Sequence, residues 1–206
     1  MVRTLVIDTA TAACSVALID DHAALAAIHE VVGRGHAERL MPMIASLPDG
    51  GRADAILVDC GPGSFTGIRV GLAAARALAL GWQIGVHGYS SMALLAAAAE
   101  ADALHGRSIG VALTGGHGEL FVQRFAMRPL APLSELASLT PAAAAEVVAE
   151  EDVLGSGASQ LVAARGYGRA HERLPCARDA LLLPRALAEL APSPIYGRGA
   201  DARPAP

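Results

Sequence analysis

The sequence predicts an α/β protein of mixed sheets flanked by helices and divided into two lobes. Short apolar runs ending in a carboxylate or a glycine alternate with longer helical patterns along the chain. Its 206 residues suffice for one large domain or two small lobes, and at 53% hydrophobic against 17% charged they can bury a sizeable core. Aromatic residues are only 3%, so that core must be built from Ala, Val, Leu and Ile.

Residues 3–8 (Arg-Thr-Leu-Val-Ile-Asp) read as a buried strand ending in a carboxylate. Residues 14–20 read as a second strand, Asp20-Asp21-His22 as a turn and residues 24–32 as a third strand, which makes an antiparallel meander. A helix is expected from about His36 to Leu47, with Leu40, Ile44 and Leu47 on one face and Pro42 kinking or shortening it. Ala55–Cys60 is a continuous apolar run, the pattern of a strand covered on both faces. Gly61–Gly67 is a loop, followed by a helix to about Leu80, a short strand at 83–87 and a helix at 89–101. Three meandering strands, then helix, strand, helix, strand, is the order of one lobe of the actin-like ATPase fold. The expected division is an N-terminal lobe at 1–103 and a C-terminal lobe with an irregular tail at 104–206.

The second half has a weaker pattern. Ser108–Leu113 and Glu119–Phe125 predict a hairpin around Thr114-Gly-Gly-His-Gly118. Pro141 reads as the first residue of a helix capped by Thr140. Val153–Gly157 reads as a strand end and turn, helices are expected at 158–165 and 179–191, and Pro192–Pro206 is irregular. No internal repeat is visible.

The loop and helix at 61–80 are the most informative segment. A Gly-rich loop between a buried strand and a helix can offer backbone N–H groups to an anion, though the P-loop spacing and its lysine are missing; the same residues can equally form a tight turn with several positive φ angles. In the helix, Gly67, Gly71, Ala75 and Ala79 recur every fourth residue. Glycine inside a helix costs roughly 1 kcal/mol relative to alanine, so two of them call for a packing reason. The helix is apolar nearly all round, with only Arg69 and Arg76 charged; they share a face with Phe65 and Leu72. The stripe faces either the chain's own sheet or another subunit, and Met41 and Met43 on the preceding helix add adaptable side chains suited to a partner.

Several chemistries lack their residues. All 16 basic residues are Arg, so Schiff-base chemistry and a P-loop lysine are excluded. The seven His residues (22, 29, 36, 87, 105, 117 and 171) include no pair three to five apart, so no helical His pair can hold a metal; His36 reads as a helix-start residue. Cys14, Cys60 and Cys176 are scattered and read as reduced thiols of a cytoplasmic protein. No G-x-S-x-G elbow is present, Gly155-Ser156-Gly157 reads as a turn, and Asp201 as a solvated tail residue. The chain opens directly on a strand pattern, and the uncharged stretch 77–99 is broken by Gly, Ser, Gln and His, so neither a signal peptide nor a membrane segment is expected. A net charge of −4 gives no basic field for gripping nucleic acid, so any RNA would be held through a partner. Arg165, Arg169, Arg173 and Arg178, with Tyr167 and His171 between them, form the densest basic stretch.

Ile7–Leu18 and Gly61–Leu72 resemble the two signature segments of the TsaB family, the bacterial dimerization subunits of tRNA threonylcarbamoyladenosine biosynthesis. Weaker likeness continues through His36–Pro42, Ser90–Leu94, Gly118-Glu119, Gly155–Gly157 and Pro194–Pro204. The family commonly places Asp-Ala-Arg before Gly-Glu in the central hairpin, where this sequence has Thr114-Gly115-Gly116-His117. The resemblance implies an actin-like (ASKHA) fold with a degenerate nucleotide site. It implies a subunit with no catalytic residue and no metal of its own, docked on a TsaD-like catalytic subunit and working with a TsaE-like ATPase, with ATP and metal in those partners. The isolated chain is expected as a monomer or a homodimer. Docking is expected at Leu40, Met43, Ile44, Phe65, Ile68, Arg69, Gly71, Leu72, Ala75 and Arg76. Asp8, Gly61, Gly63 and Ser64 are the nucleotide-proximal candidates. Asp8 stands where actin-like ATPases keep an aspartate near phosphate and metal, but Ala10 replaces the glycine such enzymes have two residues later, and Asp8 reads equally as a strand-end residue bonding its turn. The alternative is a stand-alone actin-like small-molecule kinase or ATPase.

Overall fold

A computed structural model describes residues 2–21, 23–101, 104 and 106–197. His22, His105, Asp201 and the tail beyond residue 197 lie outside the described residues. The first sheet contains β1 (Thr4–Asp8), β2 (Ala13–Ile19), β3 (Ala24–Val31), β4 (Ala55–Asp59) and β5 (Gly85–Tyr89), in the order β3-β2-β1-β4-β5. The meander is antiparallel, as expected, while β4 runs parallel to β1 and β5 parallel to β4. Helices α1 (His36–Ala45) and α2 (Phe65–Trp82) cover one face of this sheet. Pro42 lies inside α1, which ends at Ala45, two residues short of the predicted end.

Helix α3 (Ser91–Ala101) is buried on all sides from Ser91 to Ala99, because it lies between the two sheets. Leu94 packs with Val6 and Leu57 of the first sheet, whereas Met92 and Leu95 pack with Val111 and Phe125 of the second. The second sheet contains β6 (Ser108–Thr114), β7 (Leu120–Met127), β8 (Leu130–Pro132), β9 (Ala137–Leu139), β10 (Asp152–Leu154) and β11 (Arg169–His171). Helices α4 (Pro141–Val147) and α5 (Ala158–Arg165) accompany it, and the Thr140 side chain caps α4 as expected.

The predicted fold class holds, and the second sheet repeats the first. Its path is β11-β10-β6-β7-β8, with β6 antiparallel to β7 and parallel to β10, and β10 parallel to β11. Reversed, this is the same wiring as β3-β2-β1-β4-β5. The repeat lies in topology, which side-chain pattern constrains only to buried or exposed, so no sequence repeat accompanies it.

Two expectations change. The predicted helix at 179–191 is instead a pair of 3₁₀ turns, Ala177–Leu182 and Arg185–Leu187. Pro184 has no N–H to give and forces Leu183 into an extended conformation (φ −71°, ψ 126°), which stops the helix. The C-terminal segment also returns to the first lobe. Ala177 and Ala180 pack under β1 and β2, Leu190 pairs with Gly88, and the Ile195 N–H donates to the Cys60 carbonyl at 2.7 Å.

Candidate functional site

The parallel register of β1 and β4 pairs Ile7 with Val58, so both strands end side by side in a carboxylate, Asp8 and Asp59. Both are fully buried. Tyr89, opposite Asp59 on β5, donates its hydroxyl to Oδ2 of Asp8 at 2.8 Å. Ser91, at the start of α3, donates to Oδ2 of Asp59 at 2.6 Å, and the Gly61 N–H donates to its Oδ1 at 2.8 Å. Burial foremost, then the charge of Asp59, pushes the Asp8 carboxyl well above the usual range. Burial raises Asp59 to about 6 even though the Ser91 hydroxyl and Gly61 amide oppose it.

Above this pair the chain closes on itself. The Ser64 N–H donates to the Ala10 carbonyl at 2.6 Å, and the Gly67 N–H goes to the Ser64 hydroxyl at 3.2 Å, capping α2. The loop at 61–67 therefore spends these amides internally and does not hold them out as an anion cradle. The expected run of positive φ angles reduces to Gly61 alone, at 98°. Gly63 and Gly67 serve close approach instead: a Cβ on Gly63 would lie 2.0 Å from the Ala10 carbonyl oxygen, and one on Gly67 2.0 Å from that of Thr9. The Thr9 hydroxyl also donates to the Gly67 carbonyl at 2.8 Å. His36, the first residue of α1, completes the turn by donating from Nε2 to the Thr11 carbonyl at 2.9 Å.

Where the two lobes meet, a cleft of about 310 Å³ is lined by the 10–12 turn, Gly63, Ser64, Thr114–Gly116, Phe121 and Ser156. Of the nucleotide-proximal candidates, Gly63 and Ser64 reach this wall; Asp8 and Gly61 lie behind it. The lining side chains are neutral. Thr114 and Ser156 hydroxyls pair across the lobe at 3.1 Å, so the substituted hairpin keeps its shape.

The predicted docking set divides by burial. Leu40, Met43, Ile44, Ile68, Gly71, Leu72 and Ala75 are inside the chain's own core, against β1, β2 and β4. The small-residue stripe of α2 thus faces the sheet, the first of the two alternatives, which takes Gly71 and Ala75 out of the expected docking set; Leu72 turns inward and does not share the face of Arg69. Phe65, Arg69 and Arg76 are at the surface, in line with Ala73, Ala77 and Leu80. Leu80 is 82% exposed and Phe65 57%; on α1, Met41 is 46% exposed. The Arg69 guanidinium sits 3.3 Å from the Phe65 ring centre, and Tyr196 stacks on that ring at 5.7 Å. Arg76 donates to the Pro192 carbonyl at 2.7 Å, so the returning C-terminal segment is part of this face.

The basic stretch at 165–178 is largely spent inside the chain. Arg165 donates to the Val148 and Glu150 carbonyls, Arg169 pairs with Asp152, and Arg173 with Asp179. Sequence reasoning missed Asp59, Tyr89 and Ser91. The signal was two apolar runs each ending in Asp, which becomes a pair only once β1 and β4 are known to be parallel neighbours.

Among known proteins, the family model described as TsaD, tRNA N6-adenosine threonylcarbamoyltransferase, matches residues 27–168. The tRNA threonylcarbamoyladenosine biosynthesis protein TsaB of Escherichia coli (strain K12) is 41% identical over 102 residues, 46% of this chain and 42% of that protein. The TsaB of Haemophilus influenzae is 41% identical over 100 residues, with the same two shares. The match thus spans less than half the length of these curated relatives. YeaZ from Pseudomonas aeruginosa is 30% identical, with a TM-score of 0.79, over 95% of this chain and 100% of that one. A second Pseudomonas aeruginosa structure, of an uncharacterized protein with similarity to peptidase YeaZ, gives 0.81 at 30% identity over 96% and 100%. The family model covers more than half of the chain and both Pseudomonas proteins are matched over their whole length, so the chain belongs to the threonylcarbamoyltransferase family, on its TsaB and YeaZ branch.

Proposed function

We propose that this chain is a non-catalytic subunit of the cytoplasmic machinery that installs threonylcarbamoyl on the adenosine beside the anticodon of tRNA. It docks on a TsaD-like catalytic subunit, which together with a TsaE-like ATPase supplies ATP, metal and chemistry. The observation that carries the reading is the outward face of α2. Phe65, Ala73, Ala77 and Leu80 form an apolar ridge, and its only charged residues are Arg69 and Arg76. Such a face suits a paired helix with a carboxylate opposite Arg69. The neutral cleft wall and the internally bonded loop support assigning catalysis to the partner.

Co-expression with a TsaD-like chain tests the proposal. A stable heterodimer is expected, with tRNA modification only when both chains and the ATPase are present. ATP turnover by this chain alone would favour the stand-alone kinase or ATPase reading, and failure of the two chains to associate would overturn the subunit role.

The chain alone should hold tRNA only non-specifically, with a Kd of about 10⁻⁴ to 10⁻⁶ M at physiological salt. The net charge of −4 and the engaged arginines leave few cations to neutralise phosphate. A gel-shift titration checks this, and submicromolar binding that resists salt would mean direct reading of tRNA by this subunit.

A further inference from the structure

An actin-like fold implies a nucleotide and divalent metal at the cleft, with the carboxylate ending β1 turned toward them. The residues here do not fit that group. Asp8 is 0% exposed and lies behind the cleft wall, with Tyr89 bonded to its Oδ2. Its Oδ1 is also buried and accepts no hydrogen bond from any described residue. A buried acceptor left in this way is costly, and two buried carboxylates side by side are costlier still.

Besides Tyr89, Asp59 is within hydrogen-bonding reach of Asp8. Two carboxylates cannot bond each other, since both only accept; one protonated carboxyl and one carboxylate can. We propose that Asp8 and Asp59 share a single proton, Asp8 donating from Oδ1 to Asp59, so that a sealed, singly charged pair stands where the fold would hold a metal-facing carboxylate. Asp59 is the ionised member because it accepts from the Gly61 amide and from both the hydroxyl and the amide of Ser91, whereas Asp8 has the Tyr89 hydroxyl and, more weakly, the Ala10 amide.

The groups facing the pair are neutral at physiological pH. They are Tyr89 from β5, Ser91 from α3, Cys14 from β2 and Cys60 just after β4. Burial first, then the neighbouring carboxylates, pushes both thiols to about 11 and the Tyr89 phenol well above its usual value. No basic side chain is paired with either carboxylate among the described residues. The linkage follows. Both folded-state values lie above those of the unfolded chain, which releases these protons at about pH 4, so their contribution to stability is greatest in acid and is lost as pH rises, through about 6 for Asp59, with Asp8 also raised by burial.

The test is a carboxyl ¹³C titration of the full chain labelled at aspartate, with Asp8 assigned through its own backbone amide. Asp8 should remain protonated at pH 7.5, while its signal stays in place on addition of magnesium and ATP. An Asp8 ionised at that pH with a midpoint near about 4, or one that moves with magnesium and ATP, overturns the proposal. Asp8→Asn supplies an N–H for Asp59 and an oxygen for Tyr89, so it should melt within about 3 °C of the parent at pH 7.5. A fall as large as that of Asp8→Leu, which offers neither, would equally overturn it.

Discussion

Gly67→Ala is expected to lower stability by at least about 3 kcal/mol, although helix propensity alone would make it stabilising by roughly 1 kcal/mol. The two effects have opposite sign, so the measurement decides between them. A Cβ at position 67 would stand 2.0 Å from the Thr9 carbonyl oxygen, and the atom in the way is backbone that a rotamer change cannot move. Gly71 repeats the condition one turn on, 2.4 Å from Thr9 Oγ1. Relief requires α2 to lift off the β1–β2 turn, which withdraws Ile68, Leu72 and Ala75 from the core and breaks the bond from the Thr9 hydroxyl to the Gly67 carbonyl. Overpacking a close-packed interior costs about 1–3 kcal/mol, and more when the backbone must move. Urea denaturation checks it, and a Gly67→Ala chain as stable as the parent would show that the helix does not need this close approach.

The same contact explains what the sequence could and could not tell. The period-four stripe was plain, and so was the need for a packing reason, but periodicity marks a face without naming its neighbour. Thr9 and Gly67 lie 58 residues apart, and only the parallel pairing of β1 with β4 brings α2 across the first turn. Local elements were legible where punctuation was strong: β1 to β3 ending at carboxylates and turns, β4 before Gly61, and α4 behind Thr140-Pro141. The segment at 179–191 misled because its Leu and Ala content suits a helix, while Pro184 and the pull of the first sheet on Ala177 and Ala180 favour 3₁₀ turns. For Asp59, the continuous apolar run that identified β4 also concealed that its last residue is a second carboxylate buried against the first. Tyr196 was legible only as part of a tail motif, since its stacking on Phe65 depends on the return of the C-terminal segment across the N-terminal lobe.

Ala73→Arg should weaken docking on the TsaD-like partner by more than about tenfold while leaving the chain folded. Ala73 is exposed at the middle of the ridge that runs from Phe65 to Leu80. Arginine is a good helix former and would point into solvent in the free chain, so melting should stay within about 2 °C of the parent. In the complex the new side chain would fill the centre of the interface and add a third cation between Arg69 and Arg76. Centres of interfaces carry most of the binding energy, and like charges brought together there cost several kcal/mol, so affinity should fall more than about tenfold. Tyr196→Ala should weaken docking less, by freeing Phe65 and Arg69 from their stack without introducing a clash. Leu133→Arg, at an exposed site of the second lobe, serves as the control and should bind as the parent does. Calorimetric titration against the partner reads all three. If Ala73→Arg binds with unchanged affinity, the outward face of α2 is not the docking surface, even if the two chains associate.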